Sequence, residues 1–231
     1  MKLAIMQPYF MPYIGYWQLM NAVDKFVVYD NIEYTKKGWF NRNRILLNGK
    51  DYLFTIPIKK DSDYLDVCER FIARDFNNCK FLNIFKEAYR KAPYFNVVFP
   101  VLQNIVRYED DNLFNYIYHS ISQIRDYLGI TNDIVVSSSI KINHELKGKD
   151  KVMALCKELG ATDYYNSIGG QSLYDKAEFE ERGINLSFLK SKLVPYKQFN
   201  NDFVPGLSIV DVMMFNSIDE VHSLINEYQL I

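Results

Sequence analysis

Residues Lys2–Asp30 run KLAIMQPYFMPYIGYWQLMNAVDKFVVYD, and this stretch decides the fold. Lys2–Met6 is a short apolar run that opens into a turn. Lys25–Asp30 is β-branched and aromatic and ends in a carboxylate. Between them, Tyr13–Ala22 has room for about two and a half helical turns, with Ile14, Trp17, Leu19, Met20 and Val23 supplying an apolar face. Strand, glycine-bearing turn, helix, strand is a βαβ unit whose two strands run parallel. Ligands of open parallel sheets sit outside the carboxyl ends of the strands. Here those ends are Gln7–Pro12 and Asp30–Tyr34.

Downstream, Arg44–Leu47 and Tyr52–Ile58 flank Asn48-Gly49, a strong hairpin signal, and this hairpin is expected to brace Trp39–Arg44 against the sheet. The period then changes. Asp75 is expected to cap a helix carrying Phe81, Leu82, Phe85, Ala88 and Tyr89 and closed by Pro93. A second helix is predicted over Phe95–Val106, kinked or broken at Pro100, and a third over Asn112–Leu128, stopped by Gly129. The α/β rhythm returns with strands at Asp133–Ser137, Thr162–Asn166 and Ile184–Leu189, and helices at Lys149–Leu159 and Tyr174–Arg182. Ser208 has the position of an N-cap with Asp211 as its capping-box carboxylate, and helices over Leu207–Phe215 and Asp219–Tyr228 close the chain. The expected architecture is α/β: a mainly parallel, Rossmann-like central sheet with a nucleotidyltransferase-like opening βαβ unit. Residues 1–231 form one domain with a helical insertion at about 75–130.

Composition narrows the function classes. The chain has 231 residues, 48% hydrophobic and 24% charged, an ordinary globular mixture able to bury a sizeable core. A net charge of −1 lacks the basic face of a protein that binds nucleic acid polymers. The opening MKLAIMQPYF has no signal-peptide pattern, and no apolar run approaches the ~20 residues of a membrane span. Cys68, Cys79 and Cys156 are odd in number and scattered, as in a reducing compartment. A cytoplasmic protein without membrane insertion is expected. His119, His144 and His222 are isolated, and none pairs with a cysteine at metal-ligand spacing, so no metal is expected. There is no P-loop, Gly-x-Gly-x-x-Gly or Gly-x-Ser-x-Gly, which argues against a Walker ATPase, a classical NAD enzyme and a serine hydrolase.

The candidate site residues concentrate at the start of the chain. Gln7, Tyr9, Tyr34 and Trp39 offer hydrogen-bonding and stacking groups. Asn41-Arg42-Asn43-Arg44 supplies two guanidiniums and two amides suited to phosphate or carboxylate. Asp30 falls at a strand's carboxyl end, where a general base would stand. Tyr13-Ile14-Gly15-Tyr16 occupies the place where nucleotidyltransferase-like proteins carry His-x-Gly-His, so Tyr13 and Tyr16 are catalytic candidates by fold analogy. Gly169, Gly170 and Ser172 follow a strand and precede a helix, where backbone amides can cradle a phosphate. Ser137–Ser139 with Lys141 ends another strand in the same way.

The segment MQPYFMPYIGYWQLMNAVDKFVVYDNIEYTKKGWFNRNRI (6–45) and the later FVPGLSIVDVMMFNS (203–217) resemble the signature segments of the WbqC-like family. That resemblance implies a role in bacterial O-antigen (lipopolysaccharide) and other surface-polysaccharide synthesis, where nucleotide-linked deoxy amino sugars are acylated on their amine. The expected activity is amide formation: transfer of an acyl or aminoacyl group to the amine of a nucleotide-linked sugar. The donor would be a coenzyme A or carrier-protein thioester, which would make an acyl carrier protein a partner. Two alternatives stand beside it: an ATP-dependent ligase working through an acyl-adenylate, or a non-catalytic nucleotide-sugar-binding module that serves a glycosyltransferase partner.

Overall fold

The computed structural model describes residues 1–231. Strands β1 (Lys2–Met6), β2 (Lys25–Val28), β5 (Asp133–Val136), β6 (Asp163–Ser167), β7 (Asn185–Ser191) and β8 (Tyr228–Leu230) form one sheet in the order β5-β2-β1-β6-β7-β8. All pair in parallel except β8, which runs antiparallel to β7. From β1 the chain steps outward to β2 and β5, then crosses back to β6 and β7. The direction of winding therefore reverses between β1 and β6, which is where such sheets bind ligands. No helix is long and apolar enough to cross a membrane.

Successive side chains of a strand point to opposite faces, and the central strands use both. Ala4, Phe26 and Val28 enter the larger core, while Leu3, Ile5 and Val27 enter the smaller one. Helices α1 (Ile14–Asn21) and α8 (Ile218–Ile225) cover the first face. Helices α5 (Gly148–Glu158) and α6 (Lys176–Glu180) cover the second through Val152, Leu155, Cys156 and Phe179. The helical insertion is α2 (Asn78–Tyr89), α3 (Phe95–Val106) and α4 (Leu113–Tyr127). Its rings Phe81 and Tyr116 pack on Phe10 in the loop after β1, and Phe54 of the hairpin packs on both Phe10 and Phe81. The insertion thus holds the loop that leaves the first strand.

Several expectations are corrected. Asn77, not Asp75, caps α2, accepting from the Lys80 amide at 2.9 Å. Helix α3 continues through Pro100. Pro100 and Asn96, whose carbonyl loses its partner, are both solvent-exposed, so water can satisfy the carbonyl while Val98, Leu102 and Ile105 stay buried. The hairpin is β3 (Arg42–Leu47) and β4 (Lys50–Thr55), a separate two-stranded sheet. Asn48 and Gly49 at its turn have φ of 52° and 75°, the left-handed pair that suits the twist of a two-residue hairpin. Arg42–Arg44 therefore lie on a strand. Helix α8 stops at Ile225, where the buried Gln18 amide donates to the carbonyls of Leu224 and Glu227, both at 2.9 Å, and turns the chain into β8.

Ser208 does cap α7 (Ile209–Phe215), but Asp211 does not complete a capping box. The Ser208 amide already donates to the Arg44 carbonyl at 2.8 Å, leaving no donor for it. Asp211 is instead fully buried and accepts from Tyr89 Oη at 2.7 Å, and from Tyr196 Oη and Gln198 Nε2, each at 2.6 Å.

Candidate functional site

The reversal between β1 and β6 opens a cleft of 880 Å³. Gln7 and Tyr9 enter it from the end of β1, Tyr29 and Asn31 from β2, and Asn166, Gly169 and Gly170 from β6. Further walls come from Glu33, Tyr64 and Asp66, from His144, Leu146–Gly148, Lys151 and Val152, and from Tyr174.

Helix α5 starts in this cleft. Gly148 has φ of 52°, and no side chain caps the helix at Lys147. Its first amides and the positive end of its dipole are thus available to an anion. One turn in stands Lys151, only 3% exposed. Its Nζ donates to the carbonyls of Asn31 at 3.2 Å and His144 at 3.3 Å, and lies 5.0 Å over the Tyr29 ring. No carboxylate pairs with it. Burial pushes the ammonium pKa below the usual lysine range, with Asp66 and Asp30 pulling the other way. Asn166, 6% exposed, accepts the Ser167 amide at 2.8 Å through Oδ1, while its Nδ2 donates to no protein group. Gly170 packs so tightly on that Nδ2 that a methyl group would collide with it.

Asp66 is half-buried, and burial, followed by the nearby Glu69, raises its pKa above the ordinary carboxylate value. His144 Nε2 donates to the Ile140 carbonyl at 2.9 Å, and its Nδ1 lies 2.9 Å from the Asn31 side-chain amide. The site therefore joins a buried cation and uncapped helix amides to a carboxylate with enhanced basicity.

Of the residues nominated from sequence, Gln7, Tyr9, Gly169 and Gly170 line this cleft, with Tyr9 Oη donating to Gln7 Oε1 at 2.9 Å. Ser172 is exposed outside the lining. Asp30 is 3% exposed, and its Oδ1 accepts from Ser137 Oγ at 2.7 Å and the Ser138 amide at 2.9 Å, so it organises the turn after β5. Tyr16 is buried between Trp17 and Phe26. Tyr34 donates to Asn41, and Asn41 to the Ile56 carbonyl, in the interior. Arg42 is spent on the carbonyls of Lys37 and Gly38. Tyr13, Trp39, Asn43 and Arg44 line a second cavity of 250 Å³, and Tyr9 forms part of both.

Asn43 also shapes the turn that carries Tyr9. Its Nδ2 donates to the carbonyls of Phe10 at 3.2 Å and Met11 at 2.8 Å, and Ser208 Oγ adds a bond of 2.7 Å to the latter. These bonds hold Met11 at φ of 47°, a left-handed conformation costly for a side-chain-bearing residue. Asn43→Ala is expected to cost roughly 1–3 kcal/mol by stranding the buried Phe10 carbonyl and removing one of the two donors to the Met11 carbonyl, measurable as a lower urea midpoint. An unchanged midpoint would mean the turn holds itself.

Sequence reasoning passed over Lys151, Asp66, Asn31, Asn166 and His144. The one available signal was Lys147-Gly148-Lys149-Asp150-Lys151, a basic cluster opening a helix ahead of a strand. Nothing local distinguishes its buried lysine from its solvated ones.

A model of the WbqC-like protein family matches residues 7–223. An uncharacterised protein of Mycobacterium tuberculosis strain H37Rv is 30% identical over 220 residues, covering 93% of each chain. No solved structure matches.

Proposed function

Because the chain belongs to the WbqC-like protein family, we propose that it is a transferase of surface-polysaccharide synthesis that acylates the amine of a nucleotide-linked deoxy amino sugar. The observation that carries this reading is Lys151, a buried ammonium that two carbonyls hold and no salt bridge neutralises, beside the uncapped start of α5 in the cleft. An ammonium buried without an ion pair is expensive unless a ligand supplies a counter-charge. The diphosphate of a nucleotide sugar does so, with the free Asn166 Nδ2 as a further donor. Tyr64, 84% exposed at the cleft mouth, offers a face for the nucleobase.

Asp66 is the general base. The amine nitrogen attacks the thioester carbonyl of the acyl donor; the C–N bond forms and the C–S bond breaks. Asp66 takes the proton from nitrogen and passes it to the departing sulfur, so the donor leaves as its thiol and the carboxylate is restored. The raised pKa of Asp66 brings it closer to the operating pH, which favours this role. Rate is thus expected to rise with pH as Asp66 ionises. Asp30 acts indirectly here, as a positioning residue for the turn after β5.

The test couples a thermal-shift screen of nucleoside-diphosphate amino sugars to mass-spectrometric detection of amide product with coenzyme A and carrier-protein thioesters. Asp66→Asn is expected to retain binding and lose about 10²–10⁴-fold in rate. A rate equal to that of the native protein removes Asp66 from the chemistry. Saturable binding with no product from any donor makes the chain a binding module and ends the transferase reading.

A further inference from the structure

The second cavity carries chemistry that the cleft does not use. Tyr9, Tyr13, Trp39, Arg44, Leu193 and Gly206 enclose most of its 250 Å³. Arg44 lies with its guanidinium carbon 5.6 Å from the Trp39 ring centroid, and Arg42 approaches the same ring at 5.7 Å. Its Nη1 pairs with Asp51 at 3.3 Å in an exposed ion pair. Its Nε is buried and has no hydrogen-bond partner. Nε is closed to any ligand, whereas Nη2 has no hydrogen-bond partner either and is the nitrogen left for a carboxylate oxygen. Tyr13 adds an unengaged hydroxyl, and its ring is packed across Gly15, where a methyl group would displace it. Around these donors the walls are apolar: Trp39 and Leu193 are 39% and 41% exposed.

We propose that this cavity binds the carboxylate of a small organic acid with an aromatic or aliphatic body, gripped by Arg44 and covered by Trp39 and Leu193. Tyr9 belongs to both cavities, so such an acid lies one side chain away from the sugar cleft. The site goes beyond the transferase reading above, whose acyl donor is a thioester without a free carboxylate. As a carboxylate site it stands on Arg44 alone. The guanidinium's one counter-ion is the exposed Asp51 at 3.3 Å on Nη1, which leaves Nη2 to take a carboxylate oxygen among mostly apolar walls. A phosphate would answer the same donors, but the largely apolar walls and small volume favour an acid with an organic body.

Calorimetric titration of the native protein with phenylacetate, phenylacetamide and inorganic phosphate tests this without any nucleotide sugar. Saturable binding of phenylacetate, with phenylacetamide about ten- to hundred-fold weaker for want of the charge-assisted bonds, is the expected result. Equal binding of the amide, tighter binding of phosphate, or no binding overturns it. Arg44→Gln is expected to abolish the preference for the acid, with folding checked by melting temperature. Should that variant fail to fold, Leu193→Asp, at an exposed position, puts a repelling carboxylate at the mouth and is expected to weaken phenylacetate more than phenylacetamide; equal effects on both overturn the proposal. Phenylacetate binding without nucleotide-sugar binding would keep this site and remove the transferase reading. The converse would remove this site alone.

Discussion

Replacing Lys151 with methionine is expected to weaken binding of a nucleoside-diphosphate sugar by about 1.5–3 kcal/mol, roughly ten- to hundred-fold, the range for hydrogen bonds to a charged group. The fold should tolerate the change or gain from it. Methionine keeps the length of the side chain that crosses the Tyr29 ring, and it removes a buried charge that the free protein satisfies with two carbonyls only. Affinity in the native protein should also depend on pH in a defined direction. Burial places the Lys151 pKa below 10.5, and an anionic ligand requires the protonated form. Binding is therefore strongest below that depressed pKa and is lost as pH rises through it, whereas Lys151→Met is flat over the same window. Titration calorimetry reads both effects; equal affinity of variant and native protein would take the lysine out of the ligand site.

The second large effect concerns stability. Asp211→Ala removes the common acceptor of Tyr89, Tyr196 and Gln198. Tyr89 is fully buried and also accepts the Leu46 amide at 3.0 Å, so this network joins α2, α7 and the hairpin. Leaving two or three buried donors unmatched is expected to cost about 3–5 kcal/mol, a fall of roughly 6–20 °C in melting temperature for a chain of this length. Burial holds the Asp211 carboxyl above its ordinary pKa despite the three donors. With the folded pKa above the unfolded one, its contribution is fully present at acidic pH and declines as pH rises through the folded value. The cost of Asp211→Ala should therefore be larger in acid. A shift of under about 2 °C, less than 1 kcal/mol on the same scale, would mean that packing alone holds these elements.

The central sheet was legible because its signals are local. KLAIM and KFVVY each carry a strand's apolar run, and Gly15 with Trp17, Leu19 and Met20 marks the helix between them. Parallel pairing then follows from connection length and handedness. The separate sheet of the hairpin was not legible, since Asn48-Gly49 specifies which strands pair but not what they pack against. Asp211 illustrates the same limit: its spacing from Ser208 fits a capping box, yet its partners come from residues 89, 196 and 198. Lys151 was hidden for a related reason. Its ammonium is held by the carbonyl of Asn31, 120 residues away, and by that of His144. From the opening motif Gln7 and Tyr9 line the cleft at the sheet edge, whereas the chemistry proposed for that edge comes mainly from residues after 60.

Hydrogen–deuterium exchange with and without saturating uridine- or thymidine-diphosphate amino sugar tests most directly whether the cleft between β1 and β6 is the ligand site. Protection is expected at the amides of residues 148–152, where α5 begins, and of 166–171, after β6. Saturation confirmed by thermal shift, with protection absent from both segments or confined to Trp39–Arg44, would contradict the assignment of the cleft.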